Sequence, residues 1–367
     1  MSWDDWAEHA AKLVKDAGQW RTPRDLDAHG PEGGLGDRRV VSFASNDYLG
    51  LTQHPSVIAA AHAALDRWGT GSGSARLIVG SRPVHSALEA ALAEWKGTER
   101  SVLFTTGFAA NLGVLTALAG PDVLVCSDEL NHASIIDGRR LSGAPLAVHR
   151  HCDAAHVDTL LRTSPFPRAL VVSETVFSMD GDIAPVDDLL DVCARRRALL
   201  VLDEAHAVLG PLVESADHLV RVGTLSKALG ALGGFVAGPA RYTDLLVNRA
   251  RSYIFTTAST PADTAAALAA LAVVRSPEGD ALRERLRDNI DRLRPGFPSP
   301  ILPYLCGSEQ RALDVAAALL DAGLLVTAIR PPTVPPGTSR LRVTLSAAHT
   351  AEQVDQLACA LAEHFPR

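Results

Sequence analysis

From Val40 to about Leu225 the chain repeats a single pattern: a short, continuously apolar run followed by a longer stretch of helical periodicity. The runs are Ser101–Thr105, Val123–Ser127, Ala169–Ser173, Leu199–Asp203 and Leu219–Gly223. A strand with one face in water alternates apolar and polar residues. Short runs that are apolar throughout instead fit strands covered on both faces, as in a parallel sheet. The stretches between them, such as Val84–Trp95 and Val186–Cys193, supply the covering helices. The expected class is α/β, a large, mostly parallel sheet domain with helices on both faces.

The flanking sequence reads differently. Trp3, Trp6, Ala10, Leu13 and Val14 follow helical spacing, which predicts an amphipathic helix in the first twenty residues. Long helical patterns from Pro261 to Arg294 end at a Pro-rich break, Pro295–Pro303. Beyond it come a strand, a helix and the strands Leu325–Ile329 and Arg340–Leu345. A last helix opens at Thr350 with Gln353 three residues on, a capping-box pattern. The expected division is an N-terminal helix and arm over 1–40, a large domain over 41–294 and a smaller C-terminal α/β domain over 295–367.

Composition narrows the partners. The net charge of −7 argues against nucleic acid, whose phosphates require a basic surface. The N-terminal stretch carries charges from Asp4 onward and no apolar run, so neither a signal peptide nor a membrane anchor is expected there. Five dispersed cysteines without a CxxC pair read as reduced thiols of a cytoplasmic protein. Among 35 basic residues, the lysines are Lys12, Lys15, Lys96 and Lys227 only. Arginine serves as the cation elsewhere, so a lysine kept in an apolar stretch suggests chemistry that needs a primary amine.

Lys227 is that lysine. It sits in Gly223-Thr-Leu-Ser-Lys-Ala-Leu-Gly230 among apolar residues and glycines, where desolvation favours the neutral, nucleophilic amine. Lys12, Lys15 and Lys96 read as surface lysines, the last placed to satisfy a helix C-terminus. Four apolar residues in Leu199-Leu-Val-Leu-Asp203 deliver an acid to a strand end, where ligands gather in open α/β sheets. A buried aspartate there can hold a pyridinium proton, and His206 can reach a phenolic oxygen. Asp-Glu-Ala-His also occurs in helicases, but that reading requires an upstream GxxxxGK[ST], which is missing. In Phe104-Thr-Thr-Gly107-Phe-Ala-Ala-Asn111 a strand turns through glycine into a helix, aiming the Gly107 and Phe108 amides at an anion. His132, just after another strand, can lie flat on an aromatic cofactor. His149-Arg-His151-Cys152 resembles a metal cluster, but adjacent strand positions point to opposite faces, so no metal is expected. No GxSxG elbow appears.

With these residues assembled, the chain resembles the α-oxoamine synthases, fold-type I pyridoxal-phosphate enzymes, over nearly its whole length. The resembling stretches are Ser45–Leu51, Gly71–Gly80, His85, Thr106–Asn111, Asn131–Ser134, Glu174–Gly181, Asp203–His206, Thr224–Lys227, Ala328–Pro335 and Gly337–Val343. The resemblance implies that pyridoxal 5'-phosphate forms a Schiff base with Lys227. It implies that His132 stacks on the ring and Asp203 binds the ring nitrogen. Ser178 and His206 would lie near the phenolic oxygen, while Gly107, Phe108 and Thr224 hold the phosphate with Thr257 from a partner subunit. Asn46, Arg330 and Arg342 would bind substrate, Arg342 through the amino-acid carboxylate. On the sequence alone, Arg342 alternates with Leu341 and Val343 on a strand, with Arg340 on the same face. Within the family, Ile329-Arg-Pro-Pro-Thr-Val-Pro335 is most similar to the member that joins L-alanine to a pimeloyl thioester, on CoA or acyl carrier protein. Asn131–Gly138 looks as much like members that use glycine. A homodimer is implied. Where the family runs through spaced glycines after His206, this chain has Ala207-Val-Leu-Gly210-Pro211, an altered and shorter loop.

Overall fold

The computed structural model describes residues 1–366. Two compact units emerge: Ser45–Leu302 with Thr344–Asp355, and Met1–Ala44 with Pro303–Val343 and the residues from Gln356 on.

The larger unit is built on a seven-stranded sheet. Its strands are β4 (Arg100–Phe104), β5 (Val123–Asp128), β6 (Leu146–His149), β7 (Arg168–Glu174), β8 (Leu199–Asp203), β9 (Leu219–Thr224) and β10 (Gly234–Gly238). Their order is β4-β10-β9-β8-β7-β5-β6. The expected strands are all present, and neighbours from β9 to β6 pair in parallel. β10 is antiparallel to both β4 and β9. It and β6 escape the sequence reading, β10 because glycines at both ends leave only three apolar residues, β6 because it is half exposed and only four residues long.

Each apolar run feeds two cores, because successive strand residues point to opposite faces. Val125, Val172 and Val201 face one core with Val114 and Ile135. Their neighbours Cys126, Val171 and Leu200 face the other with Leu189 and Val192. The helices α4 (Gly107–Leu118), α5 (Ala133–Ser142) and α7 (Val186–Arg196) carry the covering residues, so both faces are buried as the continuous apolar runs require.

The smaller unit contains β1 (Asp27–His29), β2 (Glu32–Leu35), β3 (Arg38–Ser42) and β12 (Leu324–Leu325) in one sheet. The N-terminal segment belongs to this unit because β3 pairs in parallel with β12, Val41 opposite Leu324. β1 and β2 are short, polar and exposed or half-buried, which hid them from the periodicity reading. Helix α1 (Trp3–Asp16) starts with the Ser2–Asp5 capping box. The expected capping box of the last helix, α13 (Ala351–His364), is formed: Thr350 N donates to Gln353 Oε1 and Gln353 N to Thr350 Oγ1. Among the described residues no helix is long and apolar enough to cross a membrane.

Candidate active site

In a parallel sheet every strand ends on the same edge, so the side chains at those ends share one space. Asp203 ends β8, Glu174 ends β7 and Thr224 ends β9, and the turn after Thr224 carries Lys227. Lys227 Nζ lies 2.8 Å from His206 Nε2. His206 Nδ1 lies 2.5 Å from the Tyr48 hydroxyl, which donates to Asn46 Oδ1 at 3.1 Å. One proton arrangement satisfies the row: His206 Nδ1–H donates to Tyr48, and its bare Nε2 accepts from Lys227. Tyr48 and His206 are buried, so this row is held in a dry wall.

Asp203 is buried and accepts on both oxygens, from Asn111 Nδ2 at 2.7 Å and from the Ala205 amide at 2.9 Å. The same Asn111 Nδ2 lies 2.9 Å from Ser134 Oγ, which stands 2.8 Å from His132 Nδ1. Asp203, Asn111, Ser134 and His132 therefore form one polar chain. Crowding around the solvent-reached His132 ring holds its pKa below the ordinary imidazole value, with the Asp203 charge opposing and Lys227 adding. Glu174 is buried beside them, and burial together with the Asp203 charge pushes its carboxyl up to about 8. Since both His132 and Glu174 feel Asp203 and Lys227, these four groups surround one space.

The candidate anion cradle is the turn where β4 gives way to α4. Thr106 caps the helix, accepting from the Ala109 amide at 3.0 Å. The Gly107 and Phe108 amides belong to the first turn and have no intrahelical acceptor. A Cβ on Gly107 would stand 3.3 Å from Thr224 Cβ, a tight contact that would require the helix start or Thr224 to shift by a few tenths of an ångström. Ser178 is buried, and its amide donates to Glu174 Oε2. Gly230, at φ 59°, closes the Lys227 turn against the Leu51–Thr52 backbone.

Thus Asn46, Gly107, Phe108, His132, Ser178, Asp203, His206, Thr224 and Lys227 all lie in the larger unit. Thr257 stands elsewhere in it, bridged to Ala75 and lining a small cleft with Tyr253 and Ser259. Arg342 and Arg330 belong to the smaller unit. Arg342 is buried opposite Thr327, and Arg340, also buried, donates to Thr338 O. Arg330 Nη1 donates to Gly18 O at 2.6 Å. Sequence reasoning assigned no role to Tyr48, Asn111, Ser134 or Glu174.

Two readings are corrected. Lys96 is not a surface lysine: its Nζ lies 2.7 Å from Glu204 Oε2, an ion pair only 12% and 3% exposed at its two side chains, with Arg221 Nε 2.7 Å from Glu204 Oε1. Burial holds the Lys96 pKa down, against the pull of Glu204. The group floors a cavity of about 850 Å³, walled by the altered loop at Leu209, Gly210 and Leu212 and by Leu229. It adjoins the Lys227 turn without including Lys227. The second correction concerns His151 and Cys152, which lie past the end of β6, so strand alternation does not govern them. One donor atom each of Asp128, His151 and Cys152 falls within 4.8 Å of the others. Both His151 nitrogens are engaged by carboxylates, Asp128 at 3.0 Å and Asp182 at 2.6 Å.

A lysine amine, a buried carboxylate, a histidine and the bare amides of a helix start lie at this strand edge, and the comparisons show the family. The aminotransferase class I and II family model matches residues 38–361. The chain belongs to that family. Within it, the 8-amino-7-oxononanoate synthase of Anaeromyxobacter dehalogenans is 51% identical over 92% of this chain and 90% of its own. That of Methylococcus capsulatus is 44% identical over the full length of both. Serine palmitoyltransferase of S. paucimobilis, solved with a PLP–myriocin aldimine, superposes with a TM-score of 0.89 at 30% identity, covering 98% of this chain and 96% of that one. The fold is that of the fold-type I transferases, and the cofactor of this family, pyridoxal phosphate, fits the residues present. Its aldehyde requires an amine, its ring nitrogen a buried carboxylate and its phosphate the bare amides of a helix start. Lys227, Asp203 and the Gly107 turn supply all three.

Proposed function

We propose that this chain condenses L-alanine with a pimeloyl thioester, carried on CoA or acyl carrier protein, to give 8-amino-7-oxononanoate, carbon dioxide and the free thiol. The observation that carries the reading is the Lys227 amine, hydrogen-bonded to His206 across the same space that Asp203 and His132 border. When bound, pyridoxal phosphate supplies an aldehyde for the amine and a ring that takes up electrons from Cα. Lys227 would hold it; Asp203, kept ionised by Asn111 and Ala205, would face its ring nitrogen. Gly107, Phe108 and Thr224 would grip the phosphate, helped by the partner copy's counterpart of Thr257. Ser178 and His206 would flank the phenolic oxygen, and His132 would cover the ring. Once displaced by alanine, Lys227 Nζ is the base that removes the Cα proton, with His206 Nε2 holding it in place. Arg342 would bind the amino-acid carboxylate and Arg330 the far end of the acyl chain, with Asn46 a further substrate-binding residue.

The protein would act as a cytoplasmic homodimer. The exposed apolar run Leu77, Ile78 and Val79, at 50%, 73% and 70% exposure, supports a covered surface there. The decisive experiment is mass analysis of the product formed from alanine or glycine with pimeloyl or short acyl thioesters. Only alanine with the pimeloyl donor should react well. Lys227→Ala should lose turnover and the visible imine absorbance together; a variant that stayed yellow and active would overturn the assignment.

A further inference from the structure

Glu174 has no part in the chemistry above, yet it sits at the centre of the site. It ends β7 as Asp203 ends β8, and the two are register partners on adjacent parallel strands. Both are nearly closed off, at 2% and 7% exposure. Two carboxyl groups in one dry site cannot both ionise cheaply, so one of them keeps a proton. Hydrogen bonds decide which. Asp203 accepts on each oxygen, from Asn111 and from Ala205. Glu174 accepts from the Ser178 amide on Oε2 and the His132 amide lies near its carboxyl, while its buried Oε1 makes no hydrogen bond of good geometry. A carboxylate with one bare, buried oxygen is the costlier anion.

We propose that Glu174 stands as a neutral carboxylic acid, a positioning residue that leaves Asp203 the single anion on the floor of the Lys227 site. The charged groups facing it are Asp203 from β8 and Lys227 from the turn after β9, and His132 borders the same space at the start of α5. Burial and Asp203 favour the acid form, Lys227 and the Ser178 and His132 amides oppose them, and the balance lies at about 8. Near neutral pH the floor therefore carries one negative charge. On raising the pH past that value it gains a second, close to Lys227. With the cofactor bound, a step that rests on the function proposed above, this second charge would stabilise a protonated imine nitrogen.

The test is infrared difference spectroscopy of the cofactor-loaded protein in heavy water, wild type minus Glu174→Gln. At neutral pH the difference should show the C=O stretch of an un-ionised carboxylic acid. It should fade as the pH rises through about 8. The visible imine absorbance should titrate in one step in Glu174→Gln and in a broader, two-part curve in wild type. Should the glutamine variant fail to fold, Asp203→Asn serves instead: without its neighbour's charge, the wild-type band should fade at lower pH. Absence of the band at neutral pH, or a band that Asp203→Asn leaves unmoved, overturns the proposal. The band does not depend on the cofactor. A band without imine absorbance would count against the proposed function and not against Glu174, whereas imine absorbance without the band would do the reverse.

Discussion

Asp203 can remain an anion in a buried site because Asn111 donates to it at 2.7 Å and a backbone amide to its other oxygen. Asn111 is also the joint between Asp203 and the Ser134–His132 pair. Asn111→Ala removes a hydrogen bond to a charged acceptor, worth about 1.5–3 kcal/mol. We expect kcat/KM for the condensation to fall roughly 10- to 100-fold and cofactor to dissociate more readily, with the visible absorbance of the residual complex altered. Steady-state rates and equilibrium dialysis check this; unchanged values would show that Asp203 needs no such support. Lys227 and Asp203 were legible in the sequence because each breaks an apolar run with a group too costly to bury idly. Asn111 and Tyr48 were not. They act on partners 92 and 158 residues away, and no local pattern marks an asparagine in a helix start or a tyrosine in a loop. Glu174 was visible only as a letter in a resembling stretch, since its role arises from strand register.

At the level of elements, the reaction edge depends on how closely α4 approaches β9. Gly107 is where that spacing is set, because a methyl group there would press on Thr224 Cβ at 3.3 Å. Gly107→Ala should tilt the first turn and swing its amides off the phosphate. Losing one charge-assisted bond predicts about tenfold weaker pyridoxal phosphate binding. Helix propensity changes by only about 1 kcal/mol in the opposite sense, so the melting temperature should hardly fall. Titrating apo-protein with cofactor while following thermal unfolding separates the two effects. A large loss of stability with normal affinity would mean that the glycine serves packing alone. The elements most legible in sequence were β5, β7, β8 and β9, whose residues are almost wholly buried on both faces. β1 and β2 were illegible because they are exposed or half-buried and owe their existence to pairing, not to a core face.

For the whole molecule the ionisable groups set a pH range. His151 and Glu174 bind protons much more tightly in the folded protein than outside it. Burial, overcome by its bonds to Asp128 and Asp182, leaves His151 raised to about 12 from an ordinary 6.5, and Glu174 is raised to about 8 from 4.5. A raised pKa means stability that is complete below the unfolded value and drains away as pH climbs to the folded one. Glu174 therefore costs stability from about 4.5 to 8, and His151 from about 6.5 to 12. The buried thiols Cys126 and Cys193, pushed up to about 12 from 9.0, add a further loss only above 9. Between pH 8 and 9 the difference between wild type and a His151 variant isolates the His151 contribution, because every other group titrates in both proteins. His151→Asn should be less stable than wild type at neutral pH, because Asp128 keeps its burial and loses a cationic partner. The gap should then close by about 1 kcal/mol per pH unit across that interval, since only wild type has the imidazolium to lose. Urea unfolding of both proteins at several pH values measures the gap directly. A gap that stays constant from pH 8 to 9 would mean that His151 is neutral in the folded protein and that the clamp between Asp128 and Asp182 holds by hydrogen bonding alone.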